Sequence, residues 1–207
     1  MNDQDRWGLL EYIAPGFLHG MGNTLFKIQA YTQVIENPSA DAEIQAGPGI
    51  LAACKDAAHV LEVFRVVLDP TAQTEPVEAG RLLEDLLHMM RGRMREDGVQ
   101  VVVGGDGFDL PQAVRPRDVV LPVLVSMRCL GRALPSGMQG ELAITASWQQ
   151  GLEVDLALHP AAGCLPFEVD LQGPLLDTSA SLSGGGEVHA RADERGLRII
   201  IPTGVTT

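Results

Sequence analysis

The sequence predicts an α+β protein, in which an N-terminal helical hairpin is followed by an α/β sandwich. Three observations lead to this class. Apolar residues in the first third of the chain recur at intervals of three and four, the spacing of helices. Later segments alternate apolar and polar residues, as half-buried strands do. Hydrophobic residues make up 45% of the 207 residues, which is enough for a packed core and excludes a disordered chain.

The hairpin is predicted from two apolar stripes. The first stripe is an a/d seam formed by Leu18, Met21, Leu25, Ile28, Thr32 and Ile35. We expect Pro15 in the first turn of this helix and its end at Asn37-Pro38-Ser39, since proline disfavours a helical conformation in the residue before it. A second helix is predicted from about Ile50 to Leu68, after a short join at Gly47-Pro48-Gly49. The two helices should therefore be antiparallel neighbours.

Two helices cannot enclose a core by themselves. Each would leave an apolar stripe in water, at a cost of about 25 cal/mol per Å² of apolar area. Two hairpins related by a twofold axis would form a four-helix bundle and bury these stripes. We therefore expect a homodimer whose bundle is formed by residues 1–72. The alternative is that the hairpin packs on the rest of its own chain.

The remaining residues, 73–207, are expected to form the sandwich. The predicted elements are a helix over 77–96 closed by Gly98, a strand over 99–103, a helix over 117–134, a hairpin of strands 141–148 and 152–158, a short helix over 175–182, and a hairpin of strands 187–192 and 197–202. Helices on one face of a largely antiparallel or mixed sheet are typical of the α+β class.

Charge and composition exclude several classes of protein. The 15 Lys and Arg and 27 Asp and Glu give a net charge of −12, which argues against a general nucleic-acid binder. No apolar run approaches the roughly 20 residues of a membrane-spanning helix, and the polar N-terminus lacks a secretory signal pattern. The 3 cysteines are far apart, which fits reduced thiols rather than a metal cluster. We expect a cytoplasmic protein without nucleic-acid or membrane partners.

One segment of the first predicted helix has the pattern His-x-x-x-Asn-x-Leu, formed by His19, Asn23 and Leu25. This segment resembles the phosphoacceptor box of bacterial sensor histidine kinases. It departs from that box at Gly20, where the family has an acid, and at Thr24, where proline is common. The order of elements also resembles the transmitter core of these kinases, in which a dimeric phosphoacceptor hairpin is followed by a histidine kinase ATPase-like sandwich.

The second domain resembles the ATPase-like domain of this family without its nucleotide-binding residues. Val125 and Cys129 stand where the family has asparagines that hold Mg²⁺ and the base, and neither supplies the oxygen ligands that Mg²⁺ requires. The combination is similar to the ChpT-type histidine phosphotransferases, as are the segment Leu61–Leu68 and the turn Ala133–Gly137. The resemblance implies that the protein binds no ATP and has no cofactor of its own, with Mg²⁺ entering only through a partner receiver domain.

The resemblance further implies that His19 accepts a phosphoryl group from the aspartate of one receiver domain and passes it to another. This chemistry needs an exposed, neutral imidazole on a helix. Asn23 lies one turn further on the same face. It is a candidate auxiliary residue that either orients a water for receiver dephosphorylation or hydrogen-bonds at the surface. A rival acceptor, His59, lies on the second helix but lacks the box.

Further candidates for receiver binding surround His19 or lie on the second helix. They are Phe17, Gly20, Met21, Gly22, Phe26 and Arg65. The apolar members would form a docking patch. The glycines either let a partner's backbone approach the imidazole or have no role, and Arg65 either contacts an acidic partner or is an ordinary solvated charge.

These observations predict a cytoplasmic, homodimeric histidine phosphotransferase of a bacterial two-component phosphorelay, with response-regulator receiver domains as partners. Three alternatives stay open. The first is a non-catalytic pseudokinase scaffold in which His19 is a bystander, and the second is a receiver phosphatase that uses Asn23. The third is an ATP-dependent kinase, which would require affinity for nucleotide.

Overall fold

The computed structural model describes residues 3–36, 43–69, 71–72, 74–104, 108–164, 168–182, 186–191 and 195–202. A helical hairpin is followed by three helices and a mixed five-stranded sheet, as predicted. The helices are α1 (Asp3–Glu36), α2 (Glu43–Leu68), α3 (Ala79–Glu96), α4 (Pro116–Arg132) and α5 (Gln172–Ser181). The strands are β1 (Val77–Glu78), β2 (Val99–Val103), β3 (Ala113–Val114), β4 (Gly140–Trp148), β5 (Gly151–Pro160), β6 (Glu187–Ala190) and β7 (Gly196–Pro202).

Both helices of the hairpin begin earlier than the sequence predicted. Helix α1 starts at Asp3, so Pro15 lies inside it and not in its first turn. Helix α2 starts at Glu43, so Gly47-Pro48-Gly49 belongs to the helix, and the predicted join there is wrong. The connection falls at 37–42, outside the described residues. The predicted end of α1 before Asn37 is confirmed.

The early part of α1 explains its extra length, because it carries an apolar stripe of its own. Leu9, Tyr12 and Ile13 are buried in one hydrophobic cluster with residues of α2, α3 and α4. Burial of this stripe compensates for the helix-breaking tendency of Pro15. At this end the hairpin packs on its own chain, which was the alternative to dimerisation. Farther along α1, large apolar side chains of the a/d seam remain exposed.

The sheet has the strand order β2-β4-β5-β7-β6. Strand β2 pairs in parallel with β4, and the other neighbours are antiparallel, including both predicted hairpins. Gly98 has a φ of +83°, a conformation that favours glycine, and it turns the chain from α3 into β2 as predicted. Strands β1 and β3 pair as a separate two-stranded sheet that the sequence did not predict, because two residues give no alternation to detect.

Candidate functional site

His19 lies on α1 with its side chain exposed, as does Asn23 one turn later. The two side chains are in contact, and Nδ2 of Asn23 lies 3.1 Å from Nε2 of His19. Residues four apart lie on the same face of a helix, so the backbone of α1 brings the pair together. The candidate phosphoacceptor and the candidate auxiliary residue therefore face solvent side by side.

A groove of about 1160 Å³ opens beside this pair, between α1 and α3. Gly20, Asn23 and Phe26 of α1 line one side of it. Its charged and titratable lining residues are Lys27, Asp56, Glu78, Arg81, Glu84, Asp85, His88 and Arg91. The groove therefore extends from the turn of α1 that follows His19 to α3.

Glycines set the distance between α1 and α3. A methyl group at Gly16 would overlap the carbonyl oxygen of Met89, and one at Gly20 would lie 3.8 Å from the ring of His88. Gly20 is buried, so α3 of the same chain occupies the space that a partner's backbone was expected to approach. At Gly22, which is exposed, a methyl group would meet no described atom within 4 Å.

The remaining receiver-binding candidates differ in how accessible they are. Phe26 is 71% exposed at the groove. Phe17 stacks on Phe64 of α2, with 4.2 Å between the ring centroids and 21° between the planes. Met21 is half-buried against the core, and Arg65 is exposed and lies 3.6 Å from Glu62. Phe26 is therefore the apolar candidate that a partner can reach most freely.

The groove residues on α3 were missed by the sequence analysis. Arg81 of α3 pairs with Asp56 of α2 across 3.2 Å. Burial raises the pKa of Asp85, while the nearby His59 and Arg81 oppose the shift. His59, the rival acceptor, is half-buried. The sequence does contain one sign of this packing. Gly16 and Gly20 are four residues apart, which places two positions without side chains on the same face of α1.

Helix α5 packs on the face of α4 that carries Ser126 and Cys129. The buried hydroxyls of Ser126 and Thr178 are 2.8 Å apart, and Sγ of Cys129 donates to Oδ2 of Asp177 across 3.4 Å. Burial and the hydrogen bond with Asp177 raise the pKa of Cys129 to about 12. Val125 is buried on the same helix. These side chains hold α4 and α5 together.

No family model and no curated protein matches this chain. Solved structures do match, and they include a bacterial phosphotransferase (15% identity, TM-score 0.42, 96% of each chain) and the Acinetobacter baumannii histidine kinase AdeS (11% identity, TM-score 0.44, 90% of this chain and 98% of that one). A third is the histidine kinase ThkA in complex with the response regulator protein TrrA (12% identity, TM-score 0.38, 95% of this chain and 62% of that one).

The expected resemblance is found. The structures named above are histidine kinases and a bacterial phosphotransferase.

Two further findings concern the described part of the chain. Within it, no three His, Cys, Asp or Glu side chains cluster in a way that would hold a metal ion. Among the helices described above, none combines the length and the apolar character that spanning a membrane requires.

Proposed function

We propose that this protein is a histidine phosphotransferase of a two-component phosphorelay, in which His19 carries a phosphoryl group between receiver-domain aspartates. The observation that carries the proposal is the exposed imidazole of His19 on α1, beside the groove between α1 and α3. Transfer requires the ring nitrogen to come in line with an acyl phosphate held on another protein, which also supplies Mg²⁺. An exposed ring on a packed helix permits this approach.

The receiver docks, in this proposal, in the groove beside His19. The exposed Asn23 lines the groove, so a protein seated there lies within one helical turn of the imidazole. The exposed ring of Phe26 provides an apolar anchor, and Lys27 and Arg91 provide charge around it. Protein interfaces combine such an anchor with a polar rim. The second domain contributes to docking through α3.

A homodimer is the second part of the proposal, and exposed apolar side chains on both hairpin helices support it. They include Leu18, Leu25 and Ile35 of α1, and Leu51, Leu61 and Leu68 of α2. Within each helix these residues are separated by seven and ten positions, the separations of an a/d heptad seam. A second copy offers the same two seams, so a four-helix bundle would bury all of them.

The third part of the proposal is that the second domain does not use ATP. A nucleotide on the face of α4 that carries Val125 and Cys129 would have to displace α5. It would thereby break the contacts of Ser126 with Thr178 and of Cys129 with Asp177. Neither valine nor cysteine would replace them with an oxygen ligand for Mg²⁺. Calorimetric titration with Mg-ATP should give no binding heat, and saturable binding would contradict this part.

The main experiment is incubation with a receiver domain that carries a labelled acyl phosphate. The wild type should gain an acid-labile label, and His19→Gln should gain none. His59→Gln is the matched control, because His59 lies on the hairpin outside the groove, and it should be labelled like the wild type. Labelling of His19→Gln would overturn the proposal.

Two other outcomes would favour the alternative functions. Receiver binding without any label on the wild type would favour a scaffold. Loss of the receiver's phosphoryl group to water, dependent on Asn23 and without a labelled intermediate, would favour a phosphatase.

A further inference from the structure

In the contact between Asn23 and His19, only Asn23 can be the hydrogen-bond donor. Nδ2 of Asn23 is an amide nitrogen, which donates hydrogen bonds and does not accept them, and it lies 3.1 Å from Nε2 of His19. The contact is a hydrogen bond only in the form of the ring in which Nε2 carries a lone pair and no proton. In the neutral ring, the proton then lies on Nδ1.

We propose that Asn23 is a positioning residue that selects this tautomer of His19 and so makes Nε2 the nitrogen that accepts the phosphoryl group. The partner of one ring nitrogen decides which nitrogen keeps the proton. The residue directly after His19 is Gly20, which has no side chain to orient the ring and is buried against α3. The exposed amide of Asn23, one helical turn after His19, orients the ring instead.

This tautomer permits phosphoryl transfer from a receiver aspartate to His19, a step that rests on the proposed function. The Asn23 amide first moves its hydrogen bond from Nε2 to a phosphoryl oxygen of the incoming acyl phosphate. The freed Nε2 lone pair attacks phosphorus, and the N–P bond forms as the P–O bond to the receiver's aspartate breaks. The electron pair of that bond stays on the aspartate carboxylate, and the Nδ1 proton passes to solvent because the ring is exposed. Transfer to the next receiver reverses these changes.

Asn23→Asp provides a nearly isosteric test, because a carboxylate accepts hydrogen bonds and does not donate them. It should move the ring proton to Nε2 and leave the lone pair on Nδ1. Asn23→Gln keeps the donor and should restore the tautomer of the wild type. Gln33→Glu adds the same negative charge at an exposed position of α1 and serves as the control for charge.

The first readout is the ¹⁵N NMR spectrum of the His19 ring in the unphosphorylated protein at about pH 8, where imidazoles are largely neutral. Its signals are assigned by comparison with His19→Gln. We expect an unprotonated Nε2 in the wild type and in Asn23→Gln, and a protonated Nε2 in Asn23→Asp. A protonated Nε2 in the wild type, or the same tautomer in the wild type and Asn23→Asp, would overturn the inference.

The second readout is the initial rate of label transfer from a phosphorylated receiver. We expect Asn23→Asp to lower this rate about a hundredfold, as a misplaced ring proton does in histidine-dependent catalysis. Asn23→Gln should recover most of the rate, and Gln33→Glu should leave it unchanged. A rate for Asn23→Asp equal to that of the wild type would also overturn the inference.

The two readouts separate this inference from the proposed function. If the tautomer is wrong but label still depends on His19, Asn23 is not the positioning residue and the proposed function stands. If the tautomer is as expected but the wild type accepts no label, the proposed function fails and the assignment of the ring proton remains.

Discussion

Gly16 of α1 lies directly against the backbone carbonyl of Met89 in α3, so closely that a methyl group at position 16 would overlap the carbonyl oxygen. Both residues are buried. The contact lies one turn before His19 on the same helix. The position of the candidate phosphoacceptor relative to the second domain therefore depends on a residue without a side chain.

Gly16→Ala should lower the free energy of unfolding by about 2–3 kcal/mol, because backbone atoms of α1 or α3 must move to accommodate the methyl group. Gly22→Ala is the matched control on the same helix. Its position is exposed, so alanine should raise the free energy of unfolding by about 0.5–1 kcal/mol through its higher helix propensity. Urea denaturation measures both values. Equal shifts in the two variants would contradict the close approach of α1 and α3.

Leu25→Glu should convert the proposed dimer to a monomer, because it would bury a charge in the seam of the four-helix bundle. Leu25 is 61% exposed in the single chain, so the variant should still fold. Gln33→Glu, which adds the same charge outside the seam, should remain dimeric. Sedimentation equilibrium over a range of concentrations gives the association state. A wild type that stays monomeric throughout would remove the basis for the bundle.

Phe26→Ala should weaken receiver binding about tenfold or more, because an exposed aromatic ring at the groove is the expected anchor of the interface. Its effect on the free energy of unfolding should stay within about 0.5 kcal/mol. Phe17→Ala should show the opposite balance and lower the free energy of unfolding by about 2 kcal/mol, since it removes the stack on Phe64. Calorimetry of binding and urea denaturation separate the two effects. Unchanged binding by Phe26→Ala would place the receiver elsewhere.

The thiol of Cys129 should make stability depend on alkaline pH. Burial and the hydrogen bond with Asp177 raise its pKa from 9.0 to about 12. A raised pKa stabilises the protonated native form fully below pH 9, and this contribution is lost as the pH rises from 9 towards 12. The free energy of unfolding of the wild type should therefore fall more steeply above pH 9 than that of Cys129→Ser.

Urea denaturation under reducing conditions, from about pH 7 to about pH 10.5, tests this dependence. Cys54→Ser is the control, because Cys54 is exposed, and its curve should run parallel to that of the wild type. Parallel curves for Cys129→Ser over the whole range would contradict the protected thiol between α4 and α5.

The sandwich could be predicted almost element by element, because its signals are local. Gly98 follows a helical stripe and precedes a β-branched run, and the strands of β4 and β5 alternate on either side of a short turn. The beginnings of α1 and α2 could not be predicted in this way. Pro15 and Pro48 are typical of helix starts, yet both lie inside helices. In α1, burial of Leu9 and Ile13 by distant residues outweighs that local preference.

Some features of the candidate site could also be predicted from local sequence, and others depend on tertiary packing. The proximity of Asn23 to His19 follows from helical spacing alone. His19 is exposed, as expected, and it lies one position away from the buried Gly20. The groove required knowledge of how α3 packs on α1, and the only local sign of that packing is the four-residue spacing of Gly16 and Gly20. Met21 and Phe17 show the same limit, because their partial burial depends on that packing and on α2.

The hydrophobic cluster that joins the early part of α1 to α3 and α4 means that the hairpin is not a transplantable module. Leu9, Ile13 and Val66 are fully buried in that cluster, and they would be bared to water if residues 1–72 were grafted onto another protein. Exchanging the whole hairpin would remove residues of the hydrophobic core. Changes of partner specificity in this protein would therefore have to arise by substitutions along the groove.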